Sequence, residues 1–174
     1  LKRLARNGAA LVVPYGFAMP SNAVELKPPL AYIAGPLFDE GERWWQERIC
    51  ELVASEGYDT FLPHRDNVPK TSDNSHIIFA TNKEAILGCD LVVASLNGLT
   101  TDDGTAWEIG FAYGKGKPIV GVYTDWRARF PNPGEVVNLM LQESMSGLAR
   151  SMGELSAELS KIRPELRASA PAQS

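Results

Sequence analysis

Short apolar runs, set apart by longer amphipathic stretches, constrain this chain more than any other feature. Leu30-Ala31-Tyr32-Ile33-Ala34, ended by Gly35-Pro36, reads as a buried strand, and Asp90-Leu91-Val92-Val93-Ala94-Ser95-Leu96 is the clearest strand in the chain. Tyr58–Leu62, stopped by Pro63, and Lys117–Tyr123 read as two more. Between the first two strands in chain order, residues 39–56 carry Trp45, Ile49, Leu52 and Val53 at one-face helical spacing, and Gly57 follows as a helix-ending glycine would. Residues 64–74 read as a polar loop. Residues 75–88 and 104–115 read as helices, closed by Gly88 and by the Gly114-Lys115-Gly116 turn. Helices near 135–147 and over 151–162 complete the pattern. Strands alternating with helices predict an α/β fold, a parallel sheet with helices on both faces.

A chain of 174 residues suits one domain, and a 44% hydrophobic content supplies one sizeable core. The folded domain is expected over 30–163, with an N-terminal extension over 1–29 and a disordered Ala/Ser/Pro-rich tail over 164–174. The start pairs Lys2, Arg3 and Arg6 with a short apolar run at Ala9–Pro14. That run is too short for a secretory leader and no small-residue cleavage site closes it, so Met19 is the expected native start. A net charge of −4 argues against nucleic acid as a partner, because there is no basic excess to neutralise phosphates. Cys50 and Cys89 lie in apolar segments without metal-like spacing. They read as reduced core residues, which fits a cytoplasmic setting. The apolar runs are too short to span a bilayer.

In parallel sheets, ligands sit beyond the C-terminal ends of the strands where the strand order reverses. If the first and third strands are neighbours, as in a flavodoxin-like order, the loops Gly35–Phe38 and Asn97–Asp103 meet there. Asp102 and Glu108 follow directly, across a loop-to-helix junction, with Gly104 between them as a residue that permits positive φ or close approach. Paired carboxylates at such an edge suit glycosyl chemistry, one attacking an anomeric carbon and the other managing a proton. The same residues also fit a plain helix start, with Thr105-x-x-Glu108 as a capping box and Asp102 or Asp103 as the N-cap. Both readings stand at this level, although the apolar neighbours Trp107, Ile109 and Phe111 promise a carboxylate tuned by burial. Tyr32 is either a core tyrosine or a hydroxyl reaching a ligand or a carboxylate. Phe38 offers a ring for stacking, and Asn82 reads as an exposed helix residue. His64 and His76 have no acidic partner at ligand spacing, so no metal site is expected. Neither a Walker A loop nor a Gly-x-Ser-x-Gly elbow occurs.

Four segments in order carry a resemblance: Tyr32-Ile33-Ala34-Gly35-Pro36-Leu37-Phe38; Asn82 ahead of Asp90; Asp102-x-Gly104-Thr105-x-x-Glu108-x-Gly110-x-Ala112; and Asn138-Leu139-Met140. Over about residues 30–145 the chain resembles the nucleoside 2-deoxyribosyltransferase family. The resemblance implies a single Rossmann-like, flavodoxin-order domain that needs no cofactor and exchanges the base of a 2′-deoxynucleoside, in nucleotide salvage, with purines among its substrates. It implies Glu108 as the nucleophile that forms a covalent deoxyribosyl intermediate, Asp102 as the acid and base toward the departing and incoming bases, and Tyr32 as the residue that positions the nucleophile. Gly35, Phe38, Gly104 and Asn82 would line the substrate site. Met140 is a further substrate-binding candidate, and Asn138 would reach the sugar's 5′-hydroxyl from a neighbouring subunit of a dimer-based oligomer, often a hexamer. The loop Leu62-Pro63-His64-Arg65-Asp66-Asn67 is only loosely like the family's base-contacting loop. Asp66 is its candidate for the base, and Arg65 a candidate for a phosphate; the plain alternative is that the two form a solvated loop pair. The competing expectations are an N-glycosidase acting on deoxynucleosides or their 5′-monophosphates, and a non-catalytic nucleotide-binding module.

Overall fold

The computed structural model describes residues 27–127 and 134–169. The expected start at Met19 and residues 170–174 of the tail lie outside the described residues. In chain order the elements are β1 (Leu30–Ala34), α1 (Glu40–Ser55), β2 (Asp59–Phe61), α2 (Pro63–Asp66), α3 (Ser75–Gly88), β3 (Leu91–Ser95), α4 (Asp103–Gly114), β4 (Ile119–Val122), α5 (Leu139–Gln142), β5 (Gly147–Ala149) and α6 (Met152–Ser169). The strands form one sheet in the order β2-β1-β3-β4-β5, and every neighbouring pair is parallel. This is the flavodoxin-like order. Its switch point lies between β1 and β3, where Tyr32 pairs with Val92 and Ala34 with Ala94.

Alternation along the strands builds two cores. Ala31, Ile33, Val93, Val120 and Val122 pack with Ile49 and Val53 of α1 and Leu155, Leu159 and Ile162 of α6. Tyr32, Ala34, Val92, Ala94 and Ile119 pack on the other face with Ile86 of α3 and Ile109 and Ala112 of α4. Side chains of successive strand residues point to opposite faces, so Tyr32 is sent to the α3 and α4 side. The helices begin where side chains can satisfy their free N–H groups. Asp39 accepts from Glu42 N at 2.8 Å while Glu42 accepts from Asp39 N at 3.3 Å, a capping box. Gly57, at φ +82°, ends α1 in the left-handed conformation that a glycine adopts without strain.

Three expectations change. The stretch near 135–147 holds only the short α5, followed by the edge strand β5, which the sequence reading lacked. Val136 and Val137 are buried as loop residues, and Asn138 caps α5 by accepting from Met140 N, so apolar spacing there reflects loop burial rather than a long helix. The loop expected from His64 begins with the turn of helix α2. Pro63 stands at its first position and Asp66 accepts from Leu62 N at 2.7 Å. Helix α6 passes through Pro164 and runs to Ser169 instead of giving way to a disordered tail at Pro164. Leu166, beyond the proline, packs on the α1 and α6 core, and that burial offsets the backbone bond a proline removes. No helix among the described residues is long and apolar enough to cross a membrane.

Candidate active site

At the C-terminal edge of the sheet the chain passes from β3 through a tight loop into α4. Asp102 is the N-cap of that helix. Its Oδ2 accepts from Thr105 N at 2.8 Å and from Thr105 Oγ1 at 3.0 Å. Half of the helix-start reading is therefore correct. The other half is not, because Asp102 rather than Thr105 is the cap and Glu108 is left with no capping duty. Glu108 lies in the second turn of the helix, and its Oε1 accepts a 2.5 Å hydrogen bond from the hydroxyl of Tyr32 on β1. Tyr32 itself is fully buried, with its ring stacked on Phe61 of β2 at 5.6 Å. The neighbouring strand and helix thus fix a hydroxyl against a carboxylate across the switch point.

Desolvation raises the Glu108 carboxyl to about 7, the Tyr32 hydrogen bond pulls in the opposite direction, and the charge of Asp102 adds to the rise. The Tyr32 phenol moves far above its ordinary range, first because it is buried and then because the Glu108 charge lies beside it. It therefore stays protonated as a donor at all working pH. A carboxyl that titrates near neutrality, held by a permanent donor and coupled to a second acid, is an arrangement that can serve nucleophilic and proton-transfer chemistry. Gly104 has no positive φ. What it supplies is room, since a Cβ there would stand 3.2 Å from Asp102 Oδ2.

The remaining candidates fall into three groups. Gly35 ends β1, and Phe38 follows on the same turn with 77% of its surface exposed, so its ring is free to stack. Asn82 of α3 is half-buried and joins the loop after β2, its Oδ1 accepting from Asn67 Nδ2 at 2.6 Å. Asp66 is already engaged: it accepts from Leu62 N and pairs with Arg65, which holds its carboxyl below the usual range. Arg65 also donates to Thr60 O at 2.9 Å and lies 3.3 Å from Cys50 Sγ. Asn138, the cap of α5, and Leu139 and Met140 within it are exposed, and among the described residues no side-chain hydrogen bond joins them to Glu108 or Tyr32. Sequence reasoning missed Gln46 and Asn67. Gln46 is a glutamine on the buried face of α1, beneath Gly35, and Asn67 is the link from the β2 loop to Asn82. A polar residue within the α1 repeat was the available signal for Gln46. Asn67 closes the loop compared with the base-contacting one, but nothing local gave it a role of its own.

The family described as nucleoside 2-deoxyribosyltransferase matches residues 31–140, which takes in β1, Tyr32, Asp102, Glu108 and Asn138. The chain belongs to the nucleoside 2-deoxyribosyltransferase family. Among solved structures it is similar to a conserved protein from Enterococcus faecalis V583, at 27% identity over 77% of this chain and 98% of that one, with a TM-score of 0.67. It is also similar in fold to the 2-deoxyribosyltransferase of Bacillus psychrosaccharolyticus, at 24% identity over 75% and 95% of the two chains, with a TM-score of 0.63. The corresponding enzyme of Leishmania mexicana aligns at 24% identity over 79% and 98%, with a TM-score of 0.59. No curated protein matches the chain.

Proposed function

We propose that this family member transfers a 2-deoxyribosyl group from a deoxynucleoside to a free nucleobase by double displacement at Glu108. The observation that carries this reading is the Tyr32–Glu108 hydrogen bond at the switch point, on a carboxyl raised to about 7. Tyr32 holds Oε1, and the other carboxylate oxygen attacks C1′. The C1′–N bond breaks, its electron pair leaves on the base, and Asp102 supplies a proton to the base nitrogen. An ester links the sugar to Glu108. An incoming base then attacks C1′, the C1′–O bond returns its electrons to Glu108, and Asp102 takes up the proton the new base loses. Two inversions give net retention and ping-pong kinetics. A deoxyribose suits the scheme because no 2′-hydroxyl withdraws electrons from the oxocarbenium-like transition state.

The electrostatics of this edge favour an uncharged nucleoside over a 5′-monophosphate. Glu108 and Asp102 are both acidic, and among the described residues three arginines on the adjoining segments already have partners. Arg43 donates to Leu37 O at 2.9 Å, Arg65 pairs with Asp66, and Arg127 pairs with Asp125. A dianionic phosphate would meet no uncommitted arginine among these. An oligomer is part of the reading. The rings of Phe79 of α3 and Trp107 of α4 meet at a tilt of 56° with centroids 5.2 Å apart, Trp107 stacks on Phe111 at 5.1 Å, and Phe79 and Trp107 are about half exposed. An aromatic face of this kind beside the nucleophile's helix suits a second subunit, which would bring its exposed Asn138 and Met140 to this site and help to exclude water.

The test is incubation with deoxyinosine, with and without adenine or cytosine, followed by chromatography. New deoxynucleoside formed only when an acceptor base is present supports transfer. Free hypoxanthine released at the same rate without acceptor makes the protein a hydrolase. Binding without turnover, unchanged in Glu108→Ala, makes it a binding module.

A further inference from the structure

Helix α1 is harnessed to the turn that follows β1. Glu42 Oε2 accepts from Phe38 N at 2.7 Å, and Arg43 donates to Leu37 O at 2.9 Å. Trp45 Nε1 donates to Ser95 Oγ at 3.1 Å, at the end of β3. Gln46 is the next residue of the same helix. It is 1% exposed, and both its amide nitrogen and its amide oxygen are buried without a hydrogen-bond partner. Its amide fills the place where a side chain on Gly35 would begin: Nε2 stands 1.8 Å and Oε1 2.8 Å from the position of a Cβ there. Strand alternation puts this contact on the α1 face of β1, opposite Tyr32 and Glu108. Gln46 therefore supports the turn from behind while the substrate site lies in front.

A buried amide that makes no bond is destabilising by about 1–3 kcal/mol for each unsatisfied group, whereas an apolar chain of similar volume fills the same space at little cost. Packing alone therefore does not account for glutamine at this position. The adjoining main chain does. The amide lies directly behind Gly35, with Nε2 1.8 Å from the Gly35 Cβ position, and since Leu37 O and Phe38 N are held by Arg43 and Glu42 and Pro36 carries no N–H, the peptide groups of Gly35 and Pro36 are the ones a nucleoside against the front of the turn would bring toward it. We propose that Gln46 is a positioning residue: when a deoxynucleoside occupies the site, the Gly35–Phe38 turn settles onto the Gln46 amide and takes up its hydrogen bonds, which sets donor affinity. This rests on the nucleoside reading above.

The experiment uses Gln46→Met, close in volume and apolar, in the full chain and in a Glu108→Gln background that binds without turning over. Deoxyinosine affinity is measured by calorimetry, thermal midpoint by scanning calorimetry, and amide exchange at Gly35, Leu37 and Phe38 with and without deoxyinosine. The expected result is a midpoint equal to or above that of the parent, deoxyinosine affinity weakened roughly tenfold, and loss of the ligand-induced protection of the turn. Equal affinity and equal protection in the two proteins would overturn the role. So would a midpoint lowered by several degrees, because the amide would then be bonded in the resting protein. A parent that binds deoxyinosine but never exchanges bases ends the transferase reading and leaves this comparison intact. A parent that does not bind deoxyinosine overturns both.

Discussion

Replacing Tyr32 by Phe removes one hydroxyl and little else. The ring is fully buried against Phe61, so the packing survives, and the loss falls on the 2.5 Å bond to Glu108. That bond favours the ionised carboxylate and opposes the desolvation that has raised Glu108 to about 7. A hydrogen bond to a charged group is worth about 1.5–3 kcal/mol, and about 1.36 kcal/mol corresponds to one pH unit. Tyr32→Phe should therefore raise the Glu108 carboxyl by about 1–2 units further. As the proposed nucleophile, Glu108 must be ionised, so the acid limb of kcat/KM should move from near 7 to about 8–9. At pH 7 the ionised fraction would fall from about half to about 1–10%, a loss of roughly 5- to 50-fold that is recovered in alkaline buffer. The assay is base exchange from deoxyinosine to adenine, followed by chromatography from pH 5 to 10. An acid limb left in place, with a rate loss uniform across pH, would refute the electrostatic account and reduce Tyr32 to steric support.

Glu108→Gln should abolish exchange and stabilise the fold. Because the folded carboxyl titrates near 7 against an ordinary value of 4.5, the folded state keeps a proton that the unfolded chain releases between those pH values. Wild-type stability is thus lost as pH rises through that window, and above it Glu108→Gln should gain up to about 3 kcal/mol relative to its difference at pH 4. Urea melts at pH 4 and 8 read this, and a pH-independent difference would count against a buried, raised Glu108. Asp102→Asn keeps an acceptor for Thr105 N, so α4 should remain capped, yet kcat should fall on the order of 100-fold and the acid limb should shift to lower pH as a neighbouring negative charge disappears. An unchanged pH profile would leave Asp102 as a cap alone. Gly35→Ala should destabilise by about 1–3 kcal/mol through collision with Gln46, and adding Gln46→Ala should recover most of the loss in thermal melts. Trp107→Glu should shift sedimentation to a smaller species and lower exchange; unaltered mass and activity would remove the aromatic face from assembly.

The fold was legible where local pattern and tertiary environment agree. The apolar runs at Leu30–Ala34 and Leu91–Ser95 are buried on both faces, so their composition carries the parallel sheet directly. β5 was not legible because three residues, Gly147–Ala149, give no period to read, and their strand character comes from pairing with Val120–Val122. Pro164 misled for the opposite reason. A local breaker was outweighed by the burial of Leu166, which no window around the proline reveals. In the candidate site, Tyr32 and Glu108 were legible as neighbours only once the strand order was assumed, since they meet across the β1–α4 crossing. The pairing of Arg65 with Asp66 was legible as a solvated loop pair, whereas the bond from Leu62 N to Asp66 depends on the turn of α2 and was not.

The helix start and the candidate acid were posed by the sequence as alternatives, and the geometry makes them one device. Asp102 must bond Thr105 N to begin α4, and that bond fixes the direction in which its carboxylate faces. The helix so begun presents Glu108, in its second turn, on the face packed against β1, where Tyr32 is waiting because β1 alternates. The cap therefore sets both the spacing and the coupling of the two acids, and the Asp102 charge is among the causes that raise Glu108. This arrangement explains why a capping residue at position 102 has to be an acid if the proposed chemistry holds: serine or threonine would start the helix equally well, but neither would hold a proton for a leaving base.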